Sequence, residues 1–130
     1  MLKLNFIYKV KVNFNEKEAQ KTVSEALSKL GIDNVLIEIM FVGEKKMQTL
    51  NKEHRKIDKA TDVLSFPQTQ VSQSKLNILG SIVICPKIAE ERDENTLELV
   101  KHGVLHLAGF DHETDEKKWG KAADRINCKF

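Results

Sequence analysis

The chain has 130 residues, 41% of them hydrophobic and 31% charged, which is the balance of a soluble globular domain and excludes a disordered tail. No apolar run approaches the roughly 20 residues of a membrane helix, and Lys3, Asn5 and Lys9 interrupt the apolar N-terminus where a signal peptide needs an unbroken core. Twenty-one basic and nineteen acidic residues leave a formal net charge of +2, too small for a dedicated nucleic-acid coat protein. The charge is uneven: residues 1–60 carry 12 basic and 8 acidic groups, residues 61–130 carry 9 and 11. Either a basic half faces a polyanion such as RNA, or this is an ordinary solvated surface. Cys85 and Cys128 stand far apart with no CxxC pairing, which points to a reducing, cytoplasmic compartment. The length predicts one domain spanning 1–130.

Taken in chain order, residues 2–12 alternate apolar and polar and predict a half-buried strand. Asn15 and Glu18 are spaced as a capping pair for a helix whose apolar face is Ala19, Val23, Ala26, Leu27 and Leu30, with Gly31 suited to its C′ position. Residues 34–42 (NVLIEIMFV) read as a central strand. Residues 44–55 return to helical spacing through Met47, Leu50 and Asn51, and Lys45, Lys46, Lys52, Arg55 and Lys56 make that helix and its exit basic. TDVLSFP (61–67) is extended and ends at Pro67. A polar stretch at 68–77 predicts a loop, and 78–85 a further strand in which Gly80 marks a bulge or a close backbone approach. Pro86 opens a helix that breaks near 93–95. A second helix follows with Thr96 as its cap, running to about Ala108, and a last one spans about 115–127. The order β-α-β-α-β-β-α-α-α predicts a mixed α/β or α+β domain with helices covering one sheet.

Three of the four histidines fall in KHGVLHLAGFDH: His102, His106 and His112. His102 and His106, four apart, project from one helix face and can reach one tetrahedral Zn²⁺ at about 2.0–2.1 Å each. A left-handed residue at Gly109 can end the helix and fold the chain back, returning His112 to the same metal. Three protein nitrogens leave a fourth position open, as catalytic zinc sites do. The pattern H-x3-H-x2-G-x2-H is the skeleton of the metzincin motif, but Gly103 occupies the position of the peptidase's general-base glutamate. A peptidase mechanism in its usual form is therefore not expected. Imidazoles also accept nickel, copper and iron, so ligand type alone does not name the metal.

Together with these histidines, three stretches resemble the YbeY family of bacterial endoribonucleases, also called rRNA maturation factors. They are HGVLHLAGFDH (102–112), NKEHRKIDKATDVLSFP (51–67) and LGSIVIC (79–85), covering 35 of the 130 residues. The resemblance implies a small zincin-like α+β domain, a sheet of about four strands covered by helices, with the metal-binding helix near the C-terminus. It implies a zinc-dependent hydrolase with one Zn²⁺ per chain that cleaves single-stranded RNA, with roles in 3′-end maturation of small-subunit rRNA and in ribosome quality control. The small ribosomal subunit or its proteins are then the expected partners. His102, His106 and His112 would bind zinc, and Arg55 matches the family's functional arginine; without the resemblance Arg55 reads as a surface residue. A guanidinium suits the task, since its planar fork grips two phosphate oxygens. Asp111 could orient a ligand or cap the turn. Asp62 and Ser65 could hydrogen-bond around the cleft, but holding the loop-to-strand turn fits them better. Val63, Leu64 and Phe66 read as core. Three positions depart from the family pattern: Ser81 where an acidic residue is usual after Gly80, Ala60 where a proline is usual, and His54 where an aromatic ring is usual. His54 could stack on a base but reads as a partly exposed helix residue. Ser81 and the modest charge keep a second reading open, a non-catalytic ribosome assembly factor in which zinc holds a binding surface.

Overall fold

A computed structural model describes residues 2–68, 77–111 and 114–128. The elements are β1 (Leu2–Tyr8), α1 (Glu16–Lys29), β2 (Val35–Phe41), α2 (Glu44–Arg55), β3 (Val63–Pro67), β4 (Asn77–Ile84), α3 (Pro86–Glu91), α4 (Thr96–Leu107) and α5 (Glu116–Ile126). This is the order expected from the sequence. Most of the expected loop at 68–77 lies outside the described residues.

The sheet runs β1-β2-β4-β3, with β1, β2 and β4 parallel and β3 antiparallel on one edge. β2 is interior and contributes the buried Ile37, Ile39 and Phe41, side chains whose burial stabilises the fold by roughly 1.5–3 kcal/mol each. β1 is shorter than its alternation suggested. It ends where its partner ends, with Tyr8 opposite Phe41 and the Lys9 N–H donating to the Phe41 carbonyl at 2.9 Å. Beyond that point β2 no longer runs beside it, although Val10, Val12 and Phe14 still pack on the core.

The two faces of the sheet are covered differently. On one, α1 and α4 bury Val23, Leu27, Leu99, Val100 and Val104 against Ile37, Ile39, Ile82 and Ile84. α5 is a second layer on that side, packing Trp119, Ala122, Ala123 and Ile126 against Ala26 and Leu105. On the other, α2 packs Met47 and Leu50 against Leu64, Phe66 and Val83. Among the described residues no helix is long and apolar enough to cross a membrane.

The local signals act largely as expected. The Asn15 side chain accepts from the Glu18 N–H at 3.0 Å, and Gly31 takes φ +74 just past α1. The cap of α4, however, is Asn95 and not Thr96: its side-chain oxygen accepts from Leu97 N–H at 2.9 Å and Glu98 N–H at 3.3 Å, so Thr96 is the first helical residue. Gly80 meets both of its expectations. The β2–β4 register jumps there, Leu36 facing Ile78 and Ile37 facing Gly80, which leaves Leu79 as the extra residue of a bulge. Gly80 adopts φ +150, and a Cβ on it would lie 2.4 Å from the Phe66 carbonyl oxygen and 2.6 Å from Leu107 Cδ2. Only glycine lets β3 and the end of α4 close on β4 here.

Candidate active site

A cleft of about 360 Å³ is lined by His102, His106, Gly109, Phe110 and Asp111 from α4 and its exit, by Val63, Leu64, Ser65 and Pro67 of β3, and by His54 and Arg55 from the end of α2. It straddles the edge strand. Val63 packs on the α4 side and Leu64 and Phe66 on the α2 side, so the two helices stand on opposite faces of the sheet and meet only across the border of β3.

The α4 wall is fixed by close packing. A Cβ built on Gly103 would lie 2.9 Å from three side-chain carbons of Ile82, so the helix touches β4 backbone-to-side-chain at that point. Position 103 therefore faces the sheet, and any side chain there would push α4 away. The missing peptidase glutamate thus has a packing reason. His102 and His106 project from a different part of the helix, and their Nε2 atoms stand 3.1 Å apart. Two nitrogens bound to one tetrahedral zinc would be about 3.3 Å apart, given the usual zinc–nitrogen distance. The same nitrogen of each ring thus converges at the separation that a shared zinc requires, and the donor set fits that metal.

Trp119 of α5 backs both imidazoles, its ring centroid 4.9 Å from each. Sequence reasoning did not single out this residue. The available signal was a lone tryptophan on the apolar face of the last helix, but nothing local shows that α5 folds back over α4.

The end of α4 follows the helix-terminating geometry expected of Gly109. Gly109 has φ +98, its N–H donates to the His106 carbonyl at 3.1 Å, and the Phe110 N–H donates to the Leu105 carbonyl at 3.0 Å. These are the paired bonds of a Schellman turn, completed by the contact of Phe110 and Leu105 in one apolar cluster. The turn carries the chain to Asp111, which lines the cleft. His112 lies outside the described residues, and among those described no group of three His, Cys, Asp or Glu side chains forms a metal site.

On the opposite wall, Arg55 lies in the last turn of α2, and His54 packs its ring on Phe66 with centroids 4.5 Å apart. Lys56 ends the helix in the left-handed conformation. The buried Asn51 then holds the exit loop, its Nδ2 donating to the Lys59 carbonyl at 2.8 Å.

Ser65 lines the cleft, whereas Asp62 is not among its lining residues and is engaged elsewhere. The Asp62 carboxylate accepts from the Val63 N–H at 2.8 Å and from the Thr61 hydroxyl at 3.1 Å, and it pairs with Arg92 at 3.4 Å. Burial works against its charge. The hydrogen bond with Glu94, the Val63 N–H, Arg92 and the Thr61 hydroxyl outweigh burial and hold its pKa below the usual aspartate value. Glu94 is pushed up to about 7 by the hydrogen bond it shares with Asp62, then by burial and by the Asp62 charge. Asp62 thus ties the start of β3 to the α3–α4 connection. Ser81 pairs with Phe66 in the sheet and is not among the residues lining the cleft.

The fold and cleft define a mixed α+β domain whose paired imidazoles and arginine meet at one sheet edge. A profile of the family described as endoribonuclease YbeY matches residues 5–122. The endoribonuclease YbeY of Sulfurihydrogenibium sp. (strain YO3AOP1) is 39% identical, over 88% of this chain and 86% of that protein. That of Aquifex aeolicus (strain VF5) is 36% identical, over 85% and 81%. A solution structure from Thermotoga maritima superimposes with a TM-score of 0.50 at 26% identity, covering 98% of this chain and 87% of that one. The chain belongs to the endoribonuclease YbeY family.

Proposed function

We propose that residues 1–130 work as a single zincin-like, metal-dependent endoribonuclease domain that hydrolyses phosphodiester bonds of single-stranded RNA. We assign it to 3′-end maturation of small-subunit rRNA and to ribosome quality control in the cytoplasm, with the small ribosomal subunit as its partner. One observation carries the reading: the His102–His106 pair and Arg55, from opposite faces of the sheet, line one cleft. His102, His106 and His112 would hold one Zn²⁺. When bound, zinc supplies positive charge that polarises a phosphoryl oxygen and acidifies a water. Arg55 grips the non-bridging oxygens as their charge grows, because a guanidinium fork matches two phosphate oxygens at once. Trp119 would keep the two imidazoles in register, and Asp111, which lines the cleft, would orient a metal ligand or the substrate. The pathway, partner and compartment rest on family membership.

The test is cleavage of a single-stranded RNA by zinc-loaded protein purified free of other ribonucleases, beside His106→Ala and Arg55→Ala. Cleavage by the wild type with loss in both variants is the expected result. Equal cleavage by all three preparations would contradict the enzymatic reading. Variants that lose binding to the small subunit, with no cleavage by any preparation, would establish the assembly-factor alternative instead.

A further inference from the structure

The floor of the cleft is the outer border of β3, and the pairing of β3 with β4 determines which backbone groups face outward. Cys85 N–H donates to the Asp62 carbonyl at 2.8 Å and Gln68 N–H to the Leu79 carbonyl at 3.1 Å. With the register Val63–Ile84, Leu64–Val83, Ser65–Ile82, Phe66–Ser81 and Pro67–Gly80, residues 62, 64, 66 and 68 bond inward to β4. Residues 63, 65 and 67 therefore turn their backbone groups outward, and all three line the cleft.

These three positions are not equivalent. The Val63 N–H is already bonded to the Asp62 carboxylate at 2.8 Å, and Pro67 has no N–H. An added peptide strand needs donors at alternate residues, and among the described residues of β3 only Ser65 offers one. Val63 and Pro67 keep outward carbonyls, but of the three only Ser65 presents an N–H beside its C=O, in a cleft that also holds the exposed ring of His54 seated on Phe66. An adjacent donor and acceptor is the hydrogen-bonding unit on the edge of a nucleobase, and a histidine ring is a stacking surface for one.

We propose that the outward N–H and C=O of Ser65, together with the His54 ring, form a nucleobase-reading site beside the scissile phosphate. The inference rests on the nuclease reading above and adds to it a determinant of specificity. Backbone groups read the base, so the Ser65 hydroxyl is dispensable. Asp62 is a positioning residue, since its bond to Val63 N–H shapes the start of the edge.

The experiment follows the ¹⁵N–¹H resonance of Ser65 in the zinc-loaded full chain while the four 5′-nucleoside monophosphates, ribose 5-phosphate or an extended decapeptide is added. At least one nucleotide is expected to shift the Ser65 amide proton downfield, and ribose 5-phosphate is not. Ser65→Pro removes the outward N–H without breaking a bond to β4, as Pro67 already does two residues on. It should lower kcat/KM for the preferred base by about 10-fold, the worth of one hydrogen bond, and flatten the preference among bases, a larger effect than that of Ser65→Ala, which retains the N–H. Cleavage by the wild type with an unmoved Ser65 amide overturns the base site and leaves the nuclease reading standing. A shift by the peptide and by no nucleotide overturns it in favour of strand addition. No RNA cleavage by the wild type overturns the nuclease reading itself.

Discussion

The two helices that border the cleft are both twelve residues long and are built on opposite plans. α4 buries Leu99, Val100, Gly103, Val104, Leu105 and Leu107 and lies on the sheet with glycine at its closest contact. α2 buries only Met47 and Asn51 and gives most of its surface, Lys45, Lys52 and Arg55 included, to solvent. His102 and His106, which the proposed zinc would require at a fixed separation, are on the more deeply packed helix. Arg55 is on the more exposed helix, and on the proposed reading its long side chain would reach a phosphate from there. The difference assigns geometric precision to the buried wall and charge to the exposed one.

The largest effect is expected at the imidazole pair. His106→Ala, which removes half of the imidazole pair, should lower RNA cleavage by more than about 100-fold and cost the chain its zinc while leaving the fold intact. Retention of zinc would show that His106 is not a ligand. Gly103→Glu tests the buried wall itself. The side chain has no space beside Ile82, and we expect a loss of about 3 kcal/mol or more in denaturant unfolding, with no peptidase activity gained. Gly103→Ala should cost about 1 kcal/mol, because alanine's better helix propensity offsets part of the overlap. Unchanged stability in Gly103→Glu would mean that α4 is not held as tightly as its contact indicates.

On the exposed wall the effects should be smaller in stability. Asn51→Ala removes the bond to the Lys59 carbonyl, and about 1 kcal/mol of unfolding free energy should go with it. Away from both walls, on the α3–α4 connection, Glu94→Gln gives the subtlest change. Glu94 holds its proton to about pH 7 in the fold against 4.5 ordinarily, so the folded chain binds more protons across that window. Wild-type stability should therefore be fully supported by this group below pH 4.5 and fall as the pH rises through 7. Glu94→Gln should flatten that decline in melting temperature. The lowered Asp62 acts in the opposite sense, contributing stability above its ordinary pKa of 3.8 that is lost in stronger acid. An equal slope in both proteins would remove the shared proton from the account.

Much of this was legible in local chemistry. Asn15, Gly31, Pro86 and Gly109 each mark an element boundary where the structure has one, because caps and turns depend on a few neighbouring residues. The histidine spacing placed two rings on one helix face for the same reason. What stayed hidden depends on distant partners. The length of β1 is set by where β2 ends, and the need for glycine at 103 by the position of Ile82 on another element. Trp119 acts on the histidines only because α5 returns over α4. The engagement of Asp62 depends on Arg92 and Glu94, thirty residues further along the chain. The meeting of Arg55 with the histidines across the edge of β3 likewise follows from sheet order, which no local pattern states.

The proposed division of labour, zinc on the α4 wall and phosphate on the α2 wall, is checked by measuring zinc content and RNA cleavage together in wild type, His106→Ala and Arg55→Ala. About one zinc per chain with activity is expected in the wild type, and neither in His106→Ala. Arg55→Ala should retain its zinc with cleavage reduced on the order of 100-fold. Full cleavage by Arg55→Ala, or zinc-bound and active His106→Ala, would contradict that division.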